Sequence, residues 1–412
     1  MSPVDVALRR DEAGDRTAER NRSGILDALR AVAALMVLVD HTHWLSIGPN
    51  PGTLAAAIDH VLAGGIYLFF AVSGYLIAGP FLRALVAGEP LPRAAPYFVR
   101  RAARIYPGYW VALAVFLVIP PAPHIAPYQA PVHLVLLQSV WPHFGEAEAL
   151  FPVAWTLGVE IVFYLLVPLA AAFLRFLHPG PWRPGRLAGV VVFSGIAMVA
   201  WTYFVKRHYA ASTGTWALFA QNAFLTSVAA FCPGMVIALA ALGGQESRGW
   251  RWFKWLMARP WLCFPLAALL WASAYAMFHY GSPALVITSP SLYYVACGII
   301  LGCCVVAGRW ITRPVQVLAP IGLVSYGIYL WHATVIKFLF NETSLRVHGI
   351  VLGWLLDSLL VLAITLPFAA LSWYGIERPL MQWAARWARR HTGPSREQTL
   401  VAVGGLVQRP PP

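Results

Sequence analysis

Apolar runs of about 20 residues recur from one end of the chain to the other, each long enough to cross a bilayer's hydrocarbon core. A chain built this way cannot fold as an ordinary water-soluble domain. The composition agrees: 59% of the 412 residues are hydrophobic, only 11% are charged, and the mean hydropathy is +0.64. A soluble domain carries roughly one quarter charged residues. Disorder is excluded by the same numbers. The 18 Trp, 16 Tyr and 32 Pro exclude a water-soluble coiled coil. The expected fold class is an all-α integral membrane protein.

Ten spans are expected, near 25–45, 58–79, 105–121, 152–174, 187–205, 216–242, 260–279, 288–308, 318–338 and 350–375. Residues 131–141 (PVHLVLLQSVW) are too short to cross and read as an interfacial or re-entrant helix. Lys and Arg concentrate in cytoplasmic loops. With the N-terminus inside, cytoplasmic segments hold 25 of them and outer loops four, counting Lys337 at the end of the ninth span. That asymmetry predicts both termini in the cytoplasm and a multi-pass protein of the cytoplasmic (inner) membrane. The net charge of +13 is thus a topology signal, and no nucleic-acid partner is expected.

The domain layout follows: a cytoplasmic tail over 1–24, a transmembrane domain over 25–390, and a disordered polar tail over 391–412. With the first 22 residues polar, no cleavable secretory signal is expected. Five cysteines (Cys232, Cys263, Cys297, Cys303, Cys304) fall inside apolar runs without zinc-ligand spacing, and no metal is expected. No internal repeat of the transporter kind is visible.

Ionisable residues inside a bilayer are expensive and mark functional candidates. In the first span Asp27 and Arg30 stand three apart and can pair on one face. Arg30 and His41, eleven apart, share one stripe and lie about 16 Å apart along the axis. Arg100, Arg101 and Arg104 cluster at the inner end of the third span, where guanidinium forks suit phosphate. Glu160 sits about 12 Å below the outer end of the fourth span, one turn from Tyr164 and next to Trp155's turn. Ser325, Tyr329 and His332 form one polar stripe in the ninth span. Glu377 is expected to pair with the arginine cluster, and Pro379 to end or kink the last helix.

These segments resemble, in order, the acyltransferase-3 family of integral membrane O-acyltransferases. The matching pieces are the Arg-x10-His pair Arg30/His41 in LDALRAVAALMVLVDH, LFFAVSGYLI, RRAARIYPGY, AWTLGVEIVFYLLVP, SYGIYLWH and YGIERP. Tyr67 stands where many members have an acidic residue, and the chain has no room for the esterase-like domain some members append, so a stand-alone form is expected.

The resemblance implies transfer of an acyl group, often acetyl, from acyl-coenzyme A to a hydroxyl of a sugar, glycolipid, cell-envelope glycan or macrolide-like natural product. Arg30, Arg101 and Arg104 would bind the donor, and His41 and Glu160 would be catalytic, Glu160 by orienting the histidine. Trp155, Ser325, Tyr329 and His332 would line the substrate pocket. A proton-coupled transporter or flippase is the competing class, with buried His and Glu forming a proton relay.

Overall fold

A computed structural model describes residues 23–43, 61–119, 129–140, 150–209, 227–243, 248–306, 312–342 and 351–392, together with Ile58 and Leu225. Most of both expected tails, and the first half of the expected sixth span, lie outside the described residues. The described residues are helical throughout their regular structure, with no strand among them.

The principal helices are α1 (23–43), α2 (Gly65–Ala87), α3 (Ala94–Val118), α4 (Ala154–Leu177), α5 (Pro184–Tyr209) and α6 (Cys232–Leu242). They continue as α7 (Arg248–Met257), α8 (Pro260–Tyr280), α9 (Pro290–Val306), α10 (Thr312–Leu323), α11 (Ser325–Glu342), α12 (Val351–Ser372) and α13 (Arg378–Thr392). Among the described residues, six helices are long and apolar enough to cross a membrane, and a seventh span results if α10 and α11 count as one. Neither α1 nor α3 belongs to that set. They carry Asp27, Arg30 and Asp40, and Arg100, Arg101 and Arg104, charges that suit neither helix to lipid.

The outward faces of α4, α5, α8 and α12 carry large exposed apolar side chains, among them Phe173, Phe193, Leu269 and Leu359. In water such a surface would aggregate; in a bilayer it is the lipid contact. At the centre α2 and α6 cross in direct backbone contact. A Cβ on Gly234 would overlap the Ala71 carbonyl and the Tyr75 nitrogen, and one on Gly74 would meet the Phe231 carbonyl. Small residues permit this approach, and van der Waals packing holds it where lipid offers no hydrophobic drive.

Two of the expected spans are not straight. The ninth is broken between α10 and α11 with a bend of 64°. Pro320 removes a helical donor there, and Gly322 sits against the backbone of Asp27, where no side chain would fit. The last helix is not terminated at Pro379. A π turn over Trp373–Glu377 leads into α13, which begins at Arg378. Its wider ring relieves the local clash, so the chain runs on helically past the proline.

Residues 130–140 fold as a short helix, Ala130–Leu134, followed by a 3-10 turn, Gln138–Val140. They are wedged beside mid-α3: Tyr109, Trp110 and Tyr106 donate to the carbonyls of His133, Leu134 and Val135 at 2.8, 2.9 and 3.0 Å. These are carbonyls at or just beyond the end of a one-turn helix, where few intrahelical partners remain.

Candidate active site

α1 and α11 bring two histidines face to face. Nδ1 of His41 and Nε2 of His332 are 2.8 Å apart, and their rings stack with centroids 5.0 Å apart and planes 29° apart. His332 is fully buried, and its Nδ1 lies 3.1 Å from the carbonyl of Ile328 one turn earlier. The other nitrogen of His41 faces Asp40 Oδ2 at 4.0 Å. A third of the His41 side chain remains accessible, so the pair is open on one side.

One turn below His332, the Tyr329 hydroxyl donates to the Val153 carbonyl at 2.8 Å and meets Thr156 Oγ1 at 2.5 Å. This ties α11 to the first turn of α4. A small inner cavity of about 50 Å³ begins here, lined by Thr156, Tyr329, Ser325 and Tyr326, and deeper by Glu160, Tyr164, Arg30 and Arg104. Glu160 Oε1 accepts from Ser73 Oγ at 3.0 Å and from the Tyr164 hydroxyl at 2.7 Å. The Tyr164 bond is the one expected from their spacing. The expected role of Glu160 in orienting His41 has a different occupant: the group bonded to His41 is His332.

Beneath the inner cavity lies a vestibule of about 720 Å³, lined by Asp27, Arg30, Tyr75, Arg83, Arg104 and Trp373 among others. Arg30 and Arg104 line both spaces. Arg30 Nη1 is 3.8 Å from Asp27 Oδ1 on the same helix face. Arg83, two turns beyond Tyr75 near the end of α2, is a further vestibule cation, one that spacing alone leaves among the cytoplasmic charges.

Other expected site residues stand elsewhere. Arg101 lies over the rings of Tyr97 and Tyr164, at 5.8 and 5.2 Å from their centroids, so its charge is spent on aromatic faces rather than on the vestibule. Trp155 packs edge-on against Phe70, with centroids 6.5 Å apart, and is not among the residues lining the inner cavity. Ser325 and Tyr329 do line it. Glu377 is buried and accepts from Ser372 Oγ at 2.8 Å, and of the arginine cluster Arg104 lies close enough to act on its charge. Among the described residues, no group of three His, Cys, Asp or Glu side chains has metal-holding geometry.

Comparison with known proteins gives this geometry a context. A family model described as an acyltransferase domain matches residues 24–374. Nodulation protein 10 of Rhizobium leguminosarum bv. viciae is 26% identical over 86% of this chain and 92% of its own. BcsY of Komagataeibacter xylinus, whose name proposes a membrane-bound transacylase, is 24% identical over 89% of this chain and 85% of its own. A viral protein, ORF330 of Acidianus two-tailed virus, named as a proposed acetyltransferase, is 32% identical over 37% of this chain and 42% of its own. No solved structure matches.

Proposed function

The chain belongs to the acyltransferase family defined by that domain and is an acyl-transferring enzyme; from this premise we propose a ten-span inner-membrane O-acyltransferase using acyl-coenzyme A. The acceptor is a hydroxyl of a sugar, glycolipid, cell-envelope glycan or natural product. The observation carrying this reading is the shared lining of the two cavities. A charged vestibule large enough for part of a nucleotide donor meets, at Arg30 and Arg104, a small space walled by Tyr329, one turn from His332.

In this reading Arg30, Arg83 and Arg104 hold the phosphates of the donor by charge-assisted bonds. The thioester end extends along the Arg30–His41 stripe, about 16 Å along α1. The inner cavity has room for a few water-sized groups, which favours a short acyl chain such as acetyl. Glu160, held by Ser73 and Tyr164, keeps the wall of that passage polar beside the arginines.

The chemistry is a single proton-coupled substitution. The acceptor hydroxyl gives its proton to His41 as its oxygen attacks the thioester carbon. The carbon–oxygen bond forms, the carbon–sulfur bond breaks, and the departing thiolate takes the proton back from His41. The new ester and coenzyme A thiol leave on their own sides.

The test is thioester consumption by purified protein with acetyl-, propionyl- and succinyl-coenzyme A, with membrane extract as acceptor source. Consumption that disappears in His41→Ala, in protein that remains folded, supports the reading. Substrate movement across vesicles without thioester loss would overturn it in favour of transport.

A further inference from the structure

His332 carries a constraint that propagates to His41. Its Nδ1 lies 3.1 Å from the Ile328 carbonyl oxygen. A carbonyl oxygen only accepts, so this nitrogen holds a hydrogen and donates it. His332 is fully buried, and no carboxylate pairs with it among the described residues. A protonated imidazole in that position would be an unpaired charge in the membrane interior, a state that buried groups avoid by staying neutral. Neutral His332 therefore has a bare Nε2, which can only accept. The atom facing it at 2.8 Å is Nδ1 of His41, which must supply the hydrogen. A neutral His41 has one ring hydrogen, so its Nε2 carries the free lone pair.

We propose that His332 is a positioning residue that locks His41 into the tautomer with the hydrogen on Nδ1, presenting Nε2 as the base toward the acceptor hydroxyl. This rests on the reading of His41 as the base of acyl transfer. The two nitrogens of an imidazole are told apart by the bond the other makes, and here the chain Ile328 carbonyl, His332, His41 makes that choice. When the acceptor's proton arrives at Nε2, the Nδ1–H bond to His332 is already in place and becomes charge-assisted. Asp40, whose Oδ2 is 4.0 Å from Nε2, faces the new charge. A buried carboxylate performs the orienting task in serine hydrolases. Here a neutral imidazole performs it at the Nδ1 side, and Asp40 stands at the other.

Two substitutions separate this role from packing. In His332→Gln the amide reaches the former Nε2 position and its oxygen can accept from His41; in His332→Asn the amide mimics Nδ1 alone, keeping Ile328 and abandoning His41. Acetyl-coenzyme A turnover should fall about 10²-fold or more in His332→Asn at nearly unchanged donor KM, and recover to within about tenfold of wild type in His332→Gln. Nitrogen-15 spectra of histidine-labelled full-length protein in lipid nanodiscs read the tautomer without any turnover. The His41 signals, assigned by their loss in His41→Gln, should show hydrogen on Nδ1 in wild type and a mixture of tautomers in His332→Asn.

Hydrogen on Nε2 of His41 in wild type would overturn the proposal, as would equal turnover of the Asn and Gln variants. If His41→Ala keeps full turnover, the acyl-transfer base itself is misassigned. If His41 is essential while the His332 variants match wild type, only the positioning role fails.

Discussion

Arg30 of α1 and Arg104 of α3 stand where the vestibule and the inner cavity meet, each lining both. Two like charges held together are costly unless an anion joins them. Asp27 answers part of that cost from 3.8 Å, and Glu160 lines the cavity on the far side. A phosphorylated donor would supply the remainder.

The arginines of α3 should therefore behave differently from one another. Arg104→Ala removes a charge-assisted contact worth about 1.5–3 kcal/mol, so donor affinity should fall about tenfold to a hundredfold. Arg101→Ala removes a cation resting on Tyr97 and Tyr164, so it should lower thermal stability while changing donor affinity little. Titration calorimetry with a non-hydrolysable acetyl-coenzyme A analogue, beside thermal unfolding, distinguishes them. Equal loss of affinity in both variants would return Arg101 to the donor site.

Glu160 offers a contrast between losing an acceptor and losing a charge. Glu160→Ala strands the Ser73 and Tyr164 hydroxyls, at about 1–3 kcal/mol each, and the purified protein should unfold at a clearly lower temperature. Glu160→Gln keeps an oxygen for both hydroxyls and should unfold close to wild type. Its turnover should nevertheless drop, because the carboxylate opposite Arg30 and Arg104 is gone. Wild-type turnover in Glu160→Gln would mean that the charge has no part in the reaction.

Much of this site was legible in the sequence because helical spacing sets depth. Arg30 and His41 share a stripe, Glu160 meets Tyr164 one turn on, and His332 reaches the level of His41. Spacing does not say which spans are neighbours, so the His41–His332 bond required the fold. It also cannot resolve Arg101 from Arg104: three residues on a helix turn a side chain by about 60°, enough here to send one to aromatic rings and the other to a cavity. Arg83 was hidden among the charges that any cytoplasmic loop carries. At Pro379 the helix does not end, because the π turn before it absorbs what the proline disrupts.

The α2–α6 crossing should be intolerant of side chains. Gly234→Val places atoms on the Ala71 carbonyl and Tyr75 nitrogen, both backbone and unable to move aside. Folded protein recovered by size-exclusion chromatography should fall to a small fraction of wild type. Gly189→Val on α5, where an added Cβ meets nothing within 4 Å, is the matched control. It should be recovered at wild-type yield, and an equal loss in both variants would place the fault in helix insertion rather than in the crossing.

The proposed orientation follows from charge, and it can be read with single cysteines. Cys263, Cys297, Cys303 and Cys304 are buried, and with the partly exposed Cys232 replaced by serine background labelling stays low in intact cells. Glu89, in the exposed turn between α2 and α3, belongs to the arginine-rich side and is expected in the cytoplasm. Tyr280, 83% exposed at the other end of α8, is expected outside. A membrane-impermeant maleimide should label Tyr280→Cys in intact spheroplasts and Glu89→Cys only after permeabilisation. The opposite pattern would invert the protein and put the vestibule outside, away from coenzyme A. Labelling of both residues from one side would break the alternation between α2 and α8 and with it the ten-span count.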